Sequence, residues 1–452
     1  MNQGLTIVPP PVVGEALRRL EARGFQAWCV GGCVRDSLLG KAPFDWDIAT
    51  SALPQETKAC FAGERLVEAG AAHGTIAWVP SGGHPIEITT FRSDGAYTDG
   101  RHPDSVAFSR RLEDDLSRRD FTVNAMAWHP QRGLVDLFHG QEDLSAGLLR
   151  CVGEPARRFS EDALRILRCL RFSSQLGFAI HPDTARALWE KRELLLALSH
   201  ERVREELTKL LCGQGAAAVL RQYAAVVFTV LPELAPMKGC AQETPYHCFD
   251  VWEHTLHAVD YAPQQGDLRW AALLHDAGKP GRKTRSADGV AHFYGHPPES
   301  GRIARQLLTR LRFSNKERDW IAALVDHHED AMPMGEAHLK GLLGRYGEQF
   351  VFTLFQLQEA DMSAKAPGVF ARRLPDLEES RALARAILER GDCLTLGDMA
   401  LTGEDLKALG VAPGPEMGKL LRRLLEAVQR GEAANTPAAL GELAKRLLKR
   451  GL

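Results

Sequence analysis

Apolar residues recur every three to four positions between Val12 and Arg23, with Val13, Ala16, Leu17 and Leu20 on one face, which predicts an amphipathic helix. Ala27–Val30 is a short apolar run that predicts a strand. Gly31-Gly32 follows it, and then a helix over Val34–Leu39 that Gly40 ends. Asp45–Ala49 and Ile86–Phe91 alternate apolar and polar residues as half-buried strands do. The polar stretch from Arg92 to Arg118 predicts a long surface loop. From Ser160 onward the helical period dominates. Ser160 is the expected N-cap of a helix that carries Leu164, Leu167 and Leu170 inward. Helices continue to the C-terminus, punctuated at Gly213–Gly215, Pro232–Pro236, Pro297-Pro298, Pro367-Gly368 and Pro413–Pro415, with no internal repeat.

No apolar run approaches the roughly 18 residues of a membrane helix. The longest, Ala224–Leu231, stops at Pro232, and no secretory signal pattern opens the chain. At about 150 residues per domain, 452 residues suggest about three domains. Lys and Arg total 56 against 58 Asp and Glu, so a globally basic coat is excluded and any nucleic-acid surface must be local. One local patch is the C-terminal stretch from Glu416 to Arg450, with eight basic residues against four acidic. The nine cysteines form no CxxC pair, and Cys29 and Cys33 read as small core residues, which fits a reduced, cytoplasmic protein.

The densest chemistry lies in V30-G-G-C-V-R-D-S-L-L-G-K-A-P-F-D-W-D-I-A-T50. A glycine pair between strand and helix lets backbone amides approach a phosphate. Asp45 and Asp47, one residue apart, would share a face if both stood on a strand. Two converging carboxylates repel unless a cation lies between them, and Mg²⁺ is the hard cation that suits carboxylate oxygens. Glu87 in I86-E-I-T-T is the best third carboxylate from a neighbouring strand. Such a set points to two-metal phosphoryl transfer.

G31-G-C-V-R-D36 with D45-W-D47 resembles the head of the polymerase-beta nucleotidyltransferase superfamily. R118-R-D-F-T-V-N-A-M-A127, E161-D-A-L-R165 and R168-C-L-R-F172 resemble its class II branch, which holds bacterial CCA-adding tRNA nucleotidyltransferases and poly(A) polymerases. The resemblance implies that Gly31, Gly32, Arg35, Arg119, Asp120, Asn124, Glu161, Asp162, Arg165 and Arg168 bind nucleotide. Arg119 and Asp120 would hold the ribose, with the carboxylate accepting from the 2′-OH. Asn124 is a local structural group or a phosphate contact, and Phe121 and Met126 belong in the core. On spacing alone, Asp162 and Arg165 are an intrahelical i,i+3 pair. The family pattern instead makes them a protein template: the carboxylate accepts from an exocyclic amine of cytosine or adenine, and the guanidinium donates to the ring. Arg168 and Arg171 would contact triphosphate or brace that pair. The segment Thr90–Phe108 resembles the family's flexible loop, which helps the pocket change from cytosine to adenine and argues against addition of cytosine only.

Eight of sixteen histidines fall within residues 247–328. Their order, with L273-L-H-D-A-G-K279 and E359-A-D361, resembles the HD phosphohydrolase superfamily. By position the implied ligands of a divalent metal (Mg²⁺, Mn²⁺ or Ni²⁺) are His254, His275, Asp276, His296, His328 and Asp361, with His327 able to replace His328. Lys279 is a substrate-phosphate contact or a surface charge. Carried together, these resemblances imply an α+β chain. A nucleotidyltransferase head (1–150) precedes a helical neck (151–220), an HD-type body (240–370) and a basic helical tail for tRNA (371–452). The implied activity is addition of CMP, CMP and AMP to the tRNA 3′ end from CTP and ATP. The alternatives are an A-adding tRNA enzyme, a poly(A) polymerase, or an HD phosphohydrolase with a nucleotide- or RNA-binding head.

Overall fold

Pro11 opens the first helix, where a missing N–H costs nothing. The computed structural model describes residues 7–94 and 106–449 and divides into two units, Met1–Pro232 and Glu233–Leu452. In the first unit, α1 (Pro11–Glu21) buries the predicted face of Val13, Ala16, Leu17 and Leu20. It feeds β1 (Ala27–Val30), all four of whose side chains are buried. α2 (Gly32–Leu38), β2 (Asp47–Thr50), α3 (Pro54–Cys60), β3 (Leu66–Val67), β4 (Thr75–Trp78) and β5 (Ile86–Thr90) follow. After β6 (Arg92–Asp94), β7 (Val106–Phe108) and α4 (Leu112–Ser117) come β8 (Met126–His129), β9 (Gly133–Asp136) and α5 (Gly140–Ser145). Seven strands form one sheet in the order β3-β4-β5-β2-β1-β8-β9. Only β2 and β5 run parallel in it, and their register sets Asp47 beside Glu87.

Three local expectations change. Asp45 precedes β2 and is exposed, so only Asp47 of the two aspartates stands on the strand. β2 does not alternate, because three of its residues are buried in the middle of the sheet, whereas β5 does. The stretch 92–118 is not all loop: β6 and β7 pair antiparallel and α4 follows. The central part of the expected flexible loop, residues 95–105, lies outside the described residues.

Helices then take over, joined by one small parallel pair, β10 (Leu148–Leu149) and β11 (Ala179–Ile180). α6 (Pro155–Glu161) is capped by the Glu154 carboxylate, which accepts from Ala156 N and Arg157 N. Ser160 therefore lies inside a helix rather than capping one. The chain goes extended at Asp162, whose Oδ1 accepts from Leu164 N at 3.0 Å as α7 (Leu164–Leu176) starts. α8 (Pro182–Glu190), α9 (His200–Leu211), α10 (Ala216–Gln222) and α11 (Ala224–Val230) complete the unit. α7 packs on α9, and the Ser174 hydroxyl donates to Leu210 O at 2.7 Å. A Cβ at Gly213 would lie 2.1 Å from that hydroxyl, so this glycine is a contact point as well as punctuation.

The second unit is helical, with α12 (Val251–Tyr261), α13 (Gly266–Leu274) and the short α14 (Lys279–Arg282) first. A two-stranded ribbon, β12 (Thr284–Arg285) with β13 (Ala291–His292), leads to α15 (His296–Arg310) and α16 (Asn315–His327). Pro297 and Pro298 do not interrupt the chain but occupy the first turn of α15. α17 (Glu336–Tyr346), α18 (Glu348–Ser363) and α19 (Val369–Glu389) follow, with Trp270, Phe350 and Phe355 buried. α20 (Gly403–Ala408), α21 (Pro415–Gln429) and α22 (Pro437–Lys449) share a separate small core around Leu406, Leu420, Leu424 and Leu440. Among the described residues no helix is long and apolar enough to cross a membrane.

Candidate active site and metal centres

β1 ends at Val30, paired with Asp47 on one side and Ala127 on the other. Gly31 then turns with φ +77°, a conformation L side chains avoid. Arg119 also closes on it: a Cβ at Gly31 would sit 2.9 Å from Arg119 Nη1. Around this turn opens a cavity of about 510 Å³. It gathers ten of the sequence-predicted residues: Gly31, Gly32, Arg35, Asp47, Arg119, Asp120, Asn124, Asp162, Arg165 and Arg168. Arg92, Arg118 and Arg202 also line it, so guanidinium groups outnumber carboxylates in a space the size of a nucleotide.

The acidic edge of the cavity is held under repulsion. The Asp47 carboxyl is pushed up to about 6 by burial, then by the neighbouring charge of Glu87 and more weakly by Asp45, with Arg119 opposing. Asp45 and Glu87 are exposed and do not line the cavity. Ligand atoms of the three carboxylates do not all lie within 4.8 Å of one another, so a shared cation requires the exposed Asp45 and Glu87 side chains to swing toward Asp47.

Asp120 is fully engaged. Its Oδ1 accepts from Phe121 N at 2.8 Å and Asn124 Nδ2 at 3.2 Å, and its Oδ2 accepts from Arg168 Nε at 2.8 Å and Nη2 at 2.6 Å. Those contacts fill the four acceptor positions of a carboxylate. Burial works to raise the Asp120 carboxyl, but Arg168 outweighs it and holds the group at about 2. A ribose hydroxyl can reach Asp120 only as one of these contacts opens. Asn124 in turn accepts from Arg35 Nη1 at 2.6 Å, so Arg35, Asn124, Asp120 and Arg168 form one chain of hydrogen bonds.

The anticipated i,i+3 pairing of Asp162 with Arg165 is replaced by another. Arg165 Nη1 donates to Glu161 Oε2 at 2.9 Å and its Nη2 to Arg118 O at 3.0 Å. The helix break at Asp162 is the reason: it turns that carboxylate out of the α7 repeat and toward Arg202, 3.4 Å away. Glu161 does not line the cavity but orients Arg165, whereas Asp162 and Arg165 both face it.

In the second unit, His254 on α12, His275 and Asp276 at the end of α13, His296 opening α15, His328 after α16 and Asp361 on α18 converge, all buried. Ligand atoms of His254, His275 and Asp361 lie within 4.8 Å of one another, as do those of Asp276, His296 and His328. The two trios meet through Asp276, whose Oδ2 is 3.2 Å from His275 Nε2 and whose Oδ1 is 3.2 Å from His296 Nε2. Neither Asp276 oxygen has a hydrogen bond of good geometry, an uncommon state for a fully buried carboxylate and one that fits a metal ligand. Burial would raise its carboxyl, yet His275 and Lys279 hold it well below the usual range. Lys279 is not a surface charge: it is buried, 2.7 Å from Asp276 Oδ2, and donates to Gln242 Oε1. His328 faces the cluster, 3.3 Å from His296, while His327 points elsewhere, toward Asp330. A cavity of about 490 Å³ opens beside this centre, walled by Tyr246, Lys365, Arg372 and Arg373.

Sequence reasoning missed His73, Arg92 and Arg202 in the first cavity. Arg202 stands in E201-R-V-R, a helical segment whose charges look solvated until α9 is packed on α7. His73 ends a single helical turn with no motif around it, and Arg92 opens β6 inside the segment expected to be a flexible loop.

Three family models match successive stretches of the chain. The Poly A polymerase head domain covers residues 27–150, an RNA and SrmB-binding site of polymerase A covers 177–237, and tRNA nucleotidyltransferase domain 2 covers 298–444. The chain is 35% identical over 429 residues to a CCA-adding enzyme of Lactobacillus delbrueckii subsp. bulgaricus, covering 94% of this chain and 95% of that one. It is 33% identical over 430 residues to one of Leuconostoc mesenteroides, with 95% and 94% covered. The structure of the Bacillus stearothermophilus CCA-adding enzyme in complex with CTP superposes with a TM-score of 0.74 at 31% identity, over 98% of this chain and all of that one.

Proposed function

The chain belongs to the family of CCA-adding enzymes, and from that premise we propose how its own residues carry out addition of CMP, CMP and AMP to the 3′ end of tRNA. The carrying observation is the one cavity in which Gly31, Asp47, Asp120, Asp162 and Arg165 meet. CTP and ATP are the donors, and pyrophosphate leaves. Gly31 and Gly32 bring backbone amides to the phosphates without a Cβ in the way, and the surrounding guanidinium groups balance the triphosphate charge. Asp45, Asp47 and Glu87 would hold Mg²⁺, which supplies acidification of the attacking hydroxyl and neutralisation of the phosphates. Asp120 fixes Arg168 and Asn124 and presents itself to the ribose when one of those contacts yields.

Base choice rests on Asp162 and Arg165. Asp162 accepts from the exocyclic amine, and Arg165, held by Glu161, donates to the ring acceptor. Uracil has no such amine and guanine presents the wrong edge. The head spans 1–150, the neck 151–220, the HD-type body 240–370 and the tail 371–452. In the tail, Lys419, Arg422 and Arg423 line one open cavity with Glu416 and Glu426, a basic excess that suits phosphate contacts. A tRNA substrate and free cysteines fit the cytoplasm. The test is incubation of tRNA lacking CCA with CTP, ATP and Mg²⁺. Three added nucleotides drawn from both donors are expected. A long adenine tail, addition of adenine alone, or no incorporation would each overturn the reading.

The buried convergence of His254, His275, Asp276, His296, His328 and Asp361 supports a second activity in the body. The six His and Asp residues would hold one or two divalent ions such as Mn²⁺, Ni²⁺ or Mg²⁺, which supply an activated water for phosphoester hydrolysis. Asp276→Ala is expected to abolish metal-dependent phosphate release, measured on 2′,3′-cyclic and monoester nucleotides. Unchanged release by the variant would remove this assignment.

A further inference from the structure

A second His and Asp cluster lies between the end of α16 and the start of α17. We propose that His327, Asp330 and His338 form a separate transition-metal site that takes a zinc-class ion. α16 ends at His327, so His327 and His328 leave it in different directions: His328 enters the buried centre and His327 does not. Asp330, three residues on, places one oxygen, Oδ2, 2.8 Å from His327 Nδ1 and 2.7 Å from His338 Nε2 on α17. The three ligand atoms lie within 4.8 Å of one another. Two imidazole nitrogens and one carboxylate oxygen are the donor set that suits Zn²⁺, Ni²⁺ or Co²⁺ rather than Mg²⁺.

The surroundings hold this set in place. The His327 ring stands edge-on to Tyr346 and Phe350, with centroids 5.6 and 6.2 Å away. The Asp330 backbone oxygen accepts from Gln358 Nε2 at 3.3 Å, anchoring the turn to α18. His338 is 46% exposed at its side chain, so it has room to move. Ligands about 2.0–2.1 Å from a tetrahedral zinc stand roughly 3.3 Å apart. The present distances therefore need to open by about half an ångström, a change that the exposed imidazole can make. His327 and His338 also line an open cavity of about 380 Å³, through which an ion and a completing water reach the site, with Glu426 on its wall.

A plain hydrogen-bonded bridge is the competing account, since Asp330 can accept from both rings. It predicts no bound ion. The metal account makes the site a clip between the end of α16 and the start of α17. That clip fixes the turn carrying His328, and Asp330 lines the cavity of the buried centre as well.

The two accounts separate by metal counting on full-length protein stripped with chelator, reloaded with Zn²⁺ and desalted. The proteins compared are wild type, His338→Ala, His338→Gln, Asp276→Ala and the Asp276→Ala/His338→Ala double variant. Each His338 variant is expected to retain one ion fewer per chain than wild type, and the double variant one fewer than Asp276→Ala. The rise in thermal midpoint on adding Zn²⁺ to Asp276→Ala is expected to vanish in the double variant. CTP incorporation by the His338 variants is expected to stay at the wild-type level, showing an intact fold. Equal zinc content with and without His338 in both backgrounds would overturn the proposal, and it would do so whether or not the buried centre is hydrolytic.

Discussion

Two arginine–carboxylate contacts in the head cavity have separable consequences. Arg165 donates to the Glu161 carboxylate and to the Arg158 and Arg118 carbonyls. Arg165→Ala is therefore expected to relax base choice, narrowing the preference for CTP over UTP by at least tenfold while KM for CTP moves less than threefold. Competition kinetics with the four nucleoside triphosphates would check this, and unaltered discrimination would contradict it. Asp120 acts on stability as well as on the site. Its folded carboxyl stands at about 2 against an ordinary 3.8, so its contribution is fully present above pH 4 and is lost as pH falls through about 2. That gap corresponds to about 2 kcal/mol. Urea midpoints between pH 4.5 and 2 should fall steeply for the wild type and more gently for Asp120→Asn.

At the scale of elements, turns and breaks decide where chemistry sits, and these were the hardest features to read in advance. The strand at Ala27–Val30 and the glycine turn after it were legible because four apolar residues and two glycines leave little choice. The start of α7 was not. Ser160 is a good cap by type, but Glu154 caps an earlier helix and Asp162 starts the next. Two adjacent caps in one polar stretch cannot be ranked from sequence spacing. Period two places Asp45 on the strand, but β2 begins only at Asp47, the first residue paired with β1. The His and Asp ligands of the body were legible in type and order, whereas the buried pairing of Lys279 with Asp276 depends on a helical end one turn long. Gly31 gives a direct test of the turn. Gly31→Ala adds about 1–3 kcal/mol of backbone strain, since φ +77° with ψ −131° is a glycine conformation, and drives a methyl toward Arg119. Its expected effect is a thermal midpoint lowered by a few degrees and a loss in kcat of tenfold or more. A loss in kcat no larger than the fraction unfolded explains would contradict the close-approach role.

For the whole molecule, the two units carry different chemistry on different donor sets. The first gathers carboxylates and guanidinium groups around a nucleotide-sized cavity, and the second gathers imidazoles and carboxylates in a buried centre. This division could be read from composition along the chain, since half of the histidines fall within residues 247–328. The central claim is that Asp47 belongs to the set that activates nucleotide transfer. The most direct measurement is single-turnover incorporation of the first CMP by wild type and Asp47→Ala in rapid-quench experiments, with tRNA affinity measured in parallel. The account predicts incorporation reduced by at least a thousandfold with tRNA binding within threefold of wild type. Turnover by Asp47→Ala within tenfold of wild type would contradict it.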